Sequence, residues 1–264
     1  MPLEHIDDAT DHRVADFRNV PDPDLVERNG VFIAEGRLVV RRLLTGSRFE
    51  ARSVMVTAPA LAAIRDVLEE RRDLPAYVVP QAIMDEVTGF NIHRGCLAIG
   101  VRRPDEPWTA VAEGARRLVV LERVGNADNV GSIFRHAAAF AADAVLLGPA
   151  CSDPLYRKAI RTSMGAALSV PFAKAHPWPD VLDSLRALGF AVLAMTTRAS
   201  SCLRDVAGSL PLQRAAVLLG HEGEGLTQEA LDHSTCRARI PMADGVDSVN
   251  VATAAAIALY ELTR

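Results

Sequence analysis

Short apolar runs alternate with segments of helical length along most of the chain. In the first half the predicted strands are Val31–Ala34, Ser53–Thr57, Ala76–Val79 and Cys96–Val101. The helices predicted between them are Gly36–Leu44, Pro59–Arg71 and Gln81–Thr88. This alternation is typical of units in which helices cover a sheet, so the pattern predicts an α/β fold.

A second series begins after residue 116. Its predicted strands are Leu118–Leu121, Ala144–Leu147, Ala191–Met195, Ala216–Leu219 and Arg237–Ile240. The predicted helices cover roughly residues 130–140, 154–162, 178–188, 227–233 and 248–263. These strands are apolar throughout instead of alternating, which indicates a parallel sheet covered by helices on both faces.

Breaks in this pattern divide the chain. Residues 1–25 are polar and acid-rich and contain Pro21 and Pro23, so we expect an irregular lead-in there. The stretch Arg102–Pro107 interrupts the alternation and indicates a linker, which we place at 104–116. The sequence therefore predicts a first domain over 26–103 and a second over 117–264.

Three stretches of small and polar residues follow predicted strands of the second series. They are Asn126-x-x-Asn129-x-Gly131-x-x-x-Arg135, Gly220-His221-Glu222-Gly223-Glu224-Gly225, and Ile240-Pro241-Met242 running into Ser248-Val249-Asn250. In open parallel sheets, ligands collect outside the carboxyl ends of the strands. We therefore expect the three stretches to form one ligand site.

Each stretch also has a purely structural interpretation. Asn126 or Asp128 can cap the helix that follows, and Ser248 can cap the last helix. Gly220–Gly225 can be a tight turn, since it lacks both the Walker lysine and the dinucleotide-binding glycine spacing. Arg135, on an otherwise apolar helix, can extend its charge to solvent. Taken one stretch at a time, these alternatives stay open.

The composition limits the function classes. The chain has 264 residues and a formal net charge of −4, which argues against a strongly basic coat but not against a local basic face. Its four cysteines are scattered without a C-x-x-C pair, so we expect free thiols and no metal site. The first residues are too polar for a signal peptide and no apolar run reaches spanning length, which predicts a soluble, cytoplasmic protein.

The three stretches, in this order and at this spacing, resemble the three motifs of the SpoU/TrmH family. Its members are S-adenosylmethionine-dependent RNA ribose 2′-O-methyltransferases of the SPOUT class. The segment Arg161–Ala166 is similar to a further family segment, and the resemblance covers about residues 117–264. Phe32–Val39 and His93–Ala98 look like the L30e-like RNA-recognition domain found in many members.

The resemblance implies how the chain is built and what it binds. It implies a deep trefoil knot in the second domain, which is an exception to the rule of unknotted chains, and a homodimer whose active site draws on both subunits. The implied cofactor is S-adenosylmethionine. The implied substrate is a structured RNA, with ribosomal RNA slightly favoured over transfer RNA, whereas neither DNA nor a membrane is an expected partner.

Residue roles follow from the resemblance position by position. The residues expected to bind the cofactor are Thr196, Leu219, Gly220, Ile240, Met242 and Val249. Those assigned to the catalytic pocket are Asn129, Arg135, Glu222, Ser248 and Asn250. Those assigned to RNA in the first domain are Glu35, Arg37, His93 and Arg94.

Two residues need separate comment. A guanidinium scarcely loses its proton in proteins, so we assign Arg135 to gripping the adjacent phosphate and stabilising developing alkoxide charge, in its own or the partner's site. His221 stands where the family has a small or amide residue. It could contact RNA or simply face solvent, and we favour solvent.

Two other functions stay open. The chain could be a non-catalytic RNA-binding or ribosome-assembly factor that keeps the fold, although intact Asn129, Arg135 and Glu222 argue against a retired site. It could also be an enzyme that methylates a base nitrogen.

Overall fold

The computed structural model of the chain describes residues 3–18, 21–89, 92, 95–209 and 214–263. The chain divides into two compact units. One joins Met1–Pro104 with Pro154–Ser169, and the other joins Asp105–Asp153 with Val170–Arg264. We call them the N-terminal unit and the C-terminal unit.

Strands and helices alternate through the described residues. The strands are β1 (Leu3–His5), β2 (Val31–Glu35), β3 (Glu50–Val56), β4 (Ala76–Val78), β5 (Cys96–Val101), β6 (Arg117–Leu121), β7 (Ala144–Leu147), β8 (Phe172–Lys174), β9 (Ala191–Met195), β10 (Ala215–Leu219) and β11 (Cys236–Ala238). The α-helices are α1 (Arg37–Gly46), α2 (Ala58–Glu69), α3 (Gln81–Thr88), α4 (Trp108–Glu113), α5 (Ala127–Ala139), α6 (Arg157–Thr162), α7 (Asp180–Ala187), α8 (Leu203–Ser209), α9 (Gln228–Asp232) and α10 (Val251–Leu262). The α/β class predicted from the sequence is confirmed.

The N-terminal unit contains a mixed sheet with the strand order β1-β4-β3-β5-β2. Strands β1, β4 and β3 are parallel, whereas β5 runs antiparallel to both β3 and β2. Its core includes buried side chains from three strands, such as Ile33 on β2, Met55 on β3 and Ile99 on β5. This sheet therefore does not bring the ends of all its strands to one edge.

The first 25 residues differ from the irregular lead-in expected from their composition. Strand β1 pairs with β4, and a 3₁₀ helix over His12–Phe17 buries Val14 and Phe17 in the core of the N-terminal unit. A short π-helix follows at Asp24–Arg28. The acidic composition of this segment predicted an irregular structure. A few apolar residues nevertheless anchor it, because the burial of their apolar area outweighs the polarity of their neighbours.

The segment Pro154–Ser169 belongs to the N-terminal unit, although the sequence placed it in the second domain. Arg42, on α1, donates a hydrogen bond of 3.1 Å to the carbonyl oxygen of Met164. A Cβ at Gly165 would lie 3.2 Å from Cδ of Arg42. The segment also buries Ile160 and Leu168. The family-like stretch Arg161–Ala166 thus packs beside α1.

The C-terminal unit contains a sheet with the order β11-β9-β10-β6-β7-β8, and every pairing within it is parallel. Its central strands β6 and β10 are almost completely buried. The apolar strands had predicted this arrangement, since a strand buried on both faces has no polar side to alternate with.

The linker expected over 104–116 contains helix α4, which belongs to the C-terminal unit. Ala112 is fully buried, and the indole nitrogen of Trp108 donates to the carbonyl oxygen of His176 at 3.1 Å. Pro107 stands just before the first helical residue, where proline is compatible with a helix start. Pro107, one of the two prolines in the stretch that suggested a linker, therefore marks the beginning of a helix.

Within the described ranges, no helix is long and apolar enough to cross a membrane. The four cysteines are free, and only Cys96 is fully buried. In the same part of the chain, no three His, Cys, Asp or Glu side chains are grouped so that they could hold a metal ion.

Candidate active site

The three polar stretches lie at one edge of the C-terminal sheet, as the sequence predicted. Strands β11, β9, β10 and β6 are consecutive neighbours, and all are parallel, so their carboxyl ends meet at the same edge. Hydrogen bonds continue past the strand ends. The Glu122 amide donates to Leu219 at 2.9 Å, and the Thr196 amide donates to Ala238 at 3.0 Å.

A cavity of about 330 Å³ opens at this edge. All six residues predicted to bind the cofactor line it, namely Thr196, Leu219, Gly220, Ile240, Met242 and Val249. Three of the five residues predicted for catalysis also line it, namely Glu222, Ser248 and Asn250. The volume falls within the range of small-molecule sites, roughly 300–1,000 Å³.

The glycine-rich loop after β10 folds back closely on itself. A Cβ at Gly220 would lie 2.5 Å from the backbone of both Gly225 and Leu226, which only glycine avoids. The Gly225 amide donates to the carbonyl oxygen of His221 at 3.0 Å. The loop is therefore compact, and its backbone forms one wall of the cavity.

His221, which is half-buried, stabilises the turn of this loop. Its Nδ1 accepts hydrogen bonds from the amides of Gly223 at 3.0 Å and Glu224 at 3.1 Å. A ring nitrogen that accepts must be unprotonated, so Nε2 carries the ring proton. His221 therefore also stabilises the loop, and this short-range bonding to the loop backbone leaves no trace in the sequence.

A chain of side-chain hydrogen bonds joins the three stretches. Asn250 donates through Nδ2 to Oδ1 of Asn129 at 2.9 Å, and Asn129 donates through Nδ2 to Oε1 of Glu222 at 2.6 Å. Oδ1 of Asn250 accepts from the amides of Ala252 at 2.8 Å and Thr253 at 3.4 Å. Backbone amides can only donate, so both asparagine amides have one possible orientation, and Glu222 is the final acceptor.

The structure shows which of the residues predicted as helix caps perform that role. Asn126 caps α5, since its Oδ1 accepts from the amide of Asp128 at 2.9 Å. Asn250, not Ser248, caps α10. Asn250 therefore performs two tasks, because its oxygen caps the helix while its amide nitrogen bonds Asn129. Ser248 is exposed and lines the cavity.

Arg135 stands apart from the other predicted catalytic residues. It does not line the cavity, its side chain is exposed, and it makes no hydrogen bond or ion pair with the described residues. It lies six positions after Asn129 on α5, which corresponds to about 120° around the helix axis. The positive charge of Arg135 also acts on its neighbour, because it adds to the effect of burial in lowering the pKa of His136. The angle of about 120° determines where the two predicted catalytic residues lie. Arg135 and Asn129 therefore point to different sides of α5.

Two arginines that the sequence did not indicate also line the cavity. They are Arg198, which follows β9, and Arg239, which follows β11. Neither forms an ion pair with another residue in the described ranges, whereas Glu224 on the opposite loop pairs with Arg123 at 2.6 Å. Their positions after neighbouring strands were the available signal, but exposed arginines are common on protein surfaces.

The residues predicted to bind RNA lie in the N-terminal unit. Glu35 ends β2, and its Oε2 is buried without a hydrogen-bond partner in the described ranges. Arg37 is exposed at the first position of α1. His93 and Arg94 lie outside the described residues. Glu35 and Arg37 therefore lie at the turn between β2 and α1, and no hydrogen bond joins them.

The sequence profile of the SpoU rRNA Methylase family matches residues 116–260, which is more than half of the chain. The chain belongs to this family. The match spans the whole cavity and the hydrogen-bond chain that ends on Glu222. It also agrees with the family that the three motifs resembled.

Relatives extend the likeness to the full chain. A protein of Mycobacterium bovis named an uncharacterised tRNA/rRNA methyltransferase is 44% identical over 269 residues, covering 100% of this chain and 93% of that protein. An AdoMet-bound rRNA methyltransferase from Sinorhizobium meliloti is 25% identical, with a TM-score of 0.82 over 98% of this chain and 97% of that one. A TrmH-family structure from Porphyromonas gingivalis is 27% identical, with a TM-score of 0.78 over 96% of this chain and 97% of that one.

Proposed function

We propose that this protein transfers a methyl group from S-adenosylmethionine to a ribose 2′-hydroxyl of a structured RNA, with ribosomal RNA slightly favoured over transfer RNA. Methyl transfer to RNA from S-adenosylmethionine follows from membership of the family and from the AdoMet-bound relative. The observation that carries the finer assignment is the hydrogen-bond chain from Asn250 through Asn129 to Glu222 beside the cavity. It joins all three motifs at one point.

The cavity fits the cofactor in three respects. Apolar side chains such as Leu226 and Ile240 suit a flat adenine ring, and the backbone of the Gly220 loop can be approached closely. Arg198 and Arg239 are cations without ion-pair partners in the described part of the chain. They would receive the carboxylate of the methionyl group, because guanidinium groups pair readily with carboxylates.

The protein's contribution to the reaction is positioning. Bound S-adenosylmethionine supplies a sulfonium-activated methyl group, and the ribose oxygen must lie in line with it. Asn129 and Asn250 have fixed amide orientations, since the chain of donors starts at the backbone of α10. Glu222, as the final acceptor, is held in one place by Asn129. A rigid polar wall of this kind can orient the ribose without moving during the reaction.

We further propose that Arg135 acts in the active site of a partner subunit. It points to a different side of α5 from Asn129 and has no partner among the described residues, which a role across a homodimer would explain. The outer surface of α10, which bonds α5 on its Asn129 side, also suits a second subunit. Tyr260 on α10 is 47% exposed and packs edge-on against Phe140. An exposed aromatic beside small apolar residues is typical of an interface.

Two further features of the family complete the proposal. We propose that the C-terminal unit contains a deep trefoil knot and that residues 26–103 form an L30e-like domain that binds the RNA. Both follow from the family to which the chain belongs. In the C-terminal unit, the Arg239 amide donates to Ser201 and the Leu203 amide donates to Arg239, at 3.0 and 2.9 Å. These bonds hold the segment after β11 against the segment after β9.

The proposed activity is tested by transfer of labelled methyl from S-adenosylmethionine to total RNA. Wild-type protein should label RNA, and Glu222→Ala, which removes the acceptor for Asn129, should label it at least about 100-fold more slowly, as expected when one preorganised polar group is lost. Gly223→Ala serves as the matched control in the same loop, since its Cβ would meet only the His221 ring at 3.5 Å. If wild type binds RNA but neither binds the cofactor nor labels RNA, the protein is a non-catalytic RNA-binding factor.

The partner-subunit role of Arg135 has its own test. Arg135→Ala and Glu222→Ala chains are co-expressed so that mixed dimers form. If Arg135 serves the partner's site, one site of each mixed dimer is intact and the mixture should recover about a quarter of wild-type activity. If Arg135 serves its own subunit, no mixed site is intact and the mixture should stay inactive.

A further inference from the structure

Glu122 connects both ends of the glycine-rich loop. This carboxylate is 1% exposed, directly after β6. Its backbone amide donates to Leu219 at the start of the loop, at 2.9 Å. Its side chain accepts from the amide of Thr227 at 2.8 Å and from the Thr227 hydroxyl at 2.7 Å, at the end of the loop. One residue therefore fixes the distance between the loop's two ends.

Arg123 holds the middle of the same loop. Its guanidinium lies 2.6 Å from the carboxylate of Glu224. Its backbone has a φ of 59°, in the left-handed region that disfavours residues with a Cβ. The amide of Arg123 donates to Pro149 at 2.8 Å, which helps to keep this conformation.

Stability alone does not explain an arginine at this position. Glycine adopts a positive φ without a steric penalty, and an ion pair between partly exposed side chains contributes little to folding. Arg123 and Glu224 are 37% and 66% exposed, so their pair belongs to this weak class. Strained backbone that stability does not require is typical of functional sites.

We propose that Glu122 and Arg123 are positioning residues that hold the Gly220–Gly225 loop in the conformation that binds the cofactor. With the loop held at its ends and its middle, Glu222 stays within 2.6 Å of Asn129, and the Leu219–Gly220 backbone stays at the cavity wall. Neither residue touches the cavity itself, so both act through the loop. This inference rests on the proposed function, since it concerns the same cofactor site.

The first test separates loop positioning from folding. Arg123→Gly removes both the guanidinium and the backbone strain, whereas Arg123→Lys keeps the charge and the strain. Calorimetry with S-adenosylhomocysteine and thermal unfolding are measured on both variants. We expect Arg123→Gly to bind about three- to fivefold more weakly while its melting temperature is equal to or above that of wild type. Arg123→Lys should bind within about twofold of wild type, because a cation still faces Glu224.

Two results would overturn the role of Arg123. One is unchanged affinity in Arg123→Gly. The other is a loss of affinity that accompanies an equal loss of thermal stability in both variants, which would indicate a purely structural role.

The second test examines Glu122 with a control at the same carboxylate. Glu122→Gln keeps the shape but turns one oxygen into an NH₂ group that faces a donor, so a contact at Glu122 is lost. Trp178→Phe removes the indole donor, which bonds Oε1 of Glu122 at 3.0 Å, but leaves the bonds to Thr227 intact. We expect Glu122→Gln to weaken cofactor binding about tenfold and Trp178→Phe to change it by less than about twofold. Equal losses in the two variants would contradict the proposal.

These measurements also separate the two levels of inference. If the wild-type protein fails to bind S-adenosylmethionine and S-adenosylhomocysteine, the proposed function fails. If wild type binds them and Arg123→Gly and Glu122→Gln bind equally well, only the positioning role fails.

Discussion

The two units of this protein present polar residues in different ways. In the C-terminal unit all strands are parallel, so their carboxyl ends form one edge and the loops there share hydrogen bonds. In the N-terminal unit β5 runs against β2 and β3, and the strand ends are distributed over two edges. Its candidate residues Glu35 and Arg37 have no hydrogen bond to each other in the described ranges. A parallel sheet thus brings the polar residues that follow its strands together at one edge.

This contrast suggests that the two units have different functions. The hydrogen-bonded residues of the C-terminal unit should control cofactor binding and the rate of the chemical step. The exposed charges of the N-terminal unit should affect RNA affinity and its dependence on salt. Variants in each unit can therefore contradict this division of functions if they change the wrong quantity.

Among the variants that compare the two units, the largest effect is expected for Asn129→Ala. It breaks the link between Asn250 and Glu222, so the turnover rate should fall about 100-fold while RNA affinity stays unchanged. Asn126→Ala is the control on the same helix, because it removes only a helix cap and should cost about 1 kcal/mol of stability. An equal loss of turnover in both variants would mean that the stretch has only a capping role.

The next largest effect is expected for Gly220→Ala. Its Cβ would lie 2.5 Å from the backbone of Gly225 and Leu226, so the loop must shift. We expect cofactor affinity, measured by calorimetry, to fall about 30-fold, corresponding to about 2 kcal/mol of strain. Gly223→Ala has room for its Cβ and should bind normally. Normal binding by Gly220→Ala would show that the loop does not form the cofactor wall.

Asn250 allows its two tasks to be separated. Asn250→Asp keeps an oxygen that can cap α10 but loses the donor to Asn129, whereas Asn250→Ala loses both. We expect Asn250→Asp to keep wild-type stability while turnover falls about tenfold. Asn250→Ala should also lose about 1 kcal/mol in the free energy of unfolding, measured with denaturant. If Asn250→Asp retained full turnover, Asn250 would be a helix cap and nothing more.

The smallest effect is expected in the N-terminal unit. Arg37→Ala should weaken RNA binding about threefold and reduce the slope of affinity against salt by about one, with cofactor binding unchanged. Arg41→Ala is the matched control on α1, since Arg41 already pairs with both oxygens of Asp66 at 2.7 Å. If Arg37→Ala changed cofactor affinity instead, the division between the two units would be wrong.

The comparison also shows what a sequence can reveal. The uniformly apolar strands β6, β7, β9 and β10 predicted a parallel sheet, and the turns after them predicted the shared edge. Short elements such as β8 and α8 were not predicted, because three to seven residues give little periodicity. The burial of Val14 and Phe17 also escaped, since it depends on contacts made far away in the sequence.

Within the site, residue types could be predicted but their connections could not. Ser248 and Asn250 are both suitable caps, and only the geometry shows that Asn250 begins α10. Glu122 and Arg123 look like ordinary charged residues after a strand, because neither burial of the carboxylate nor the positive φ of Arg123 is visible in the sequence. The sequence therefore predicts which residues belong to the site, whereas their hydrogen-bond partners can be identified only from the folded structure.

The most direct test of the proposed function is the chemical position of the transferred methyl group. RNA labelled by the wild-type protein is digested with nucleases, and the nucleosides are identified by mass spectrometry. A 2′-O-methylated nucleoside is predicted, lost in Asn129→Ala and retained in Asn126→Ala. A methylated base in the same digest would contradict ribose methylation and would assign the cavity and the Glu222 network to a different acceptor atom.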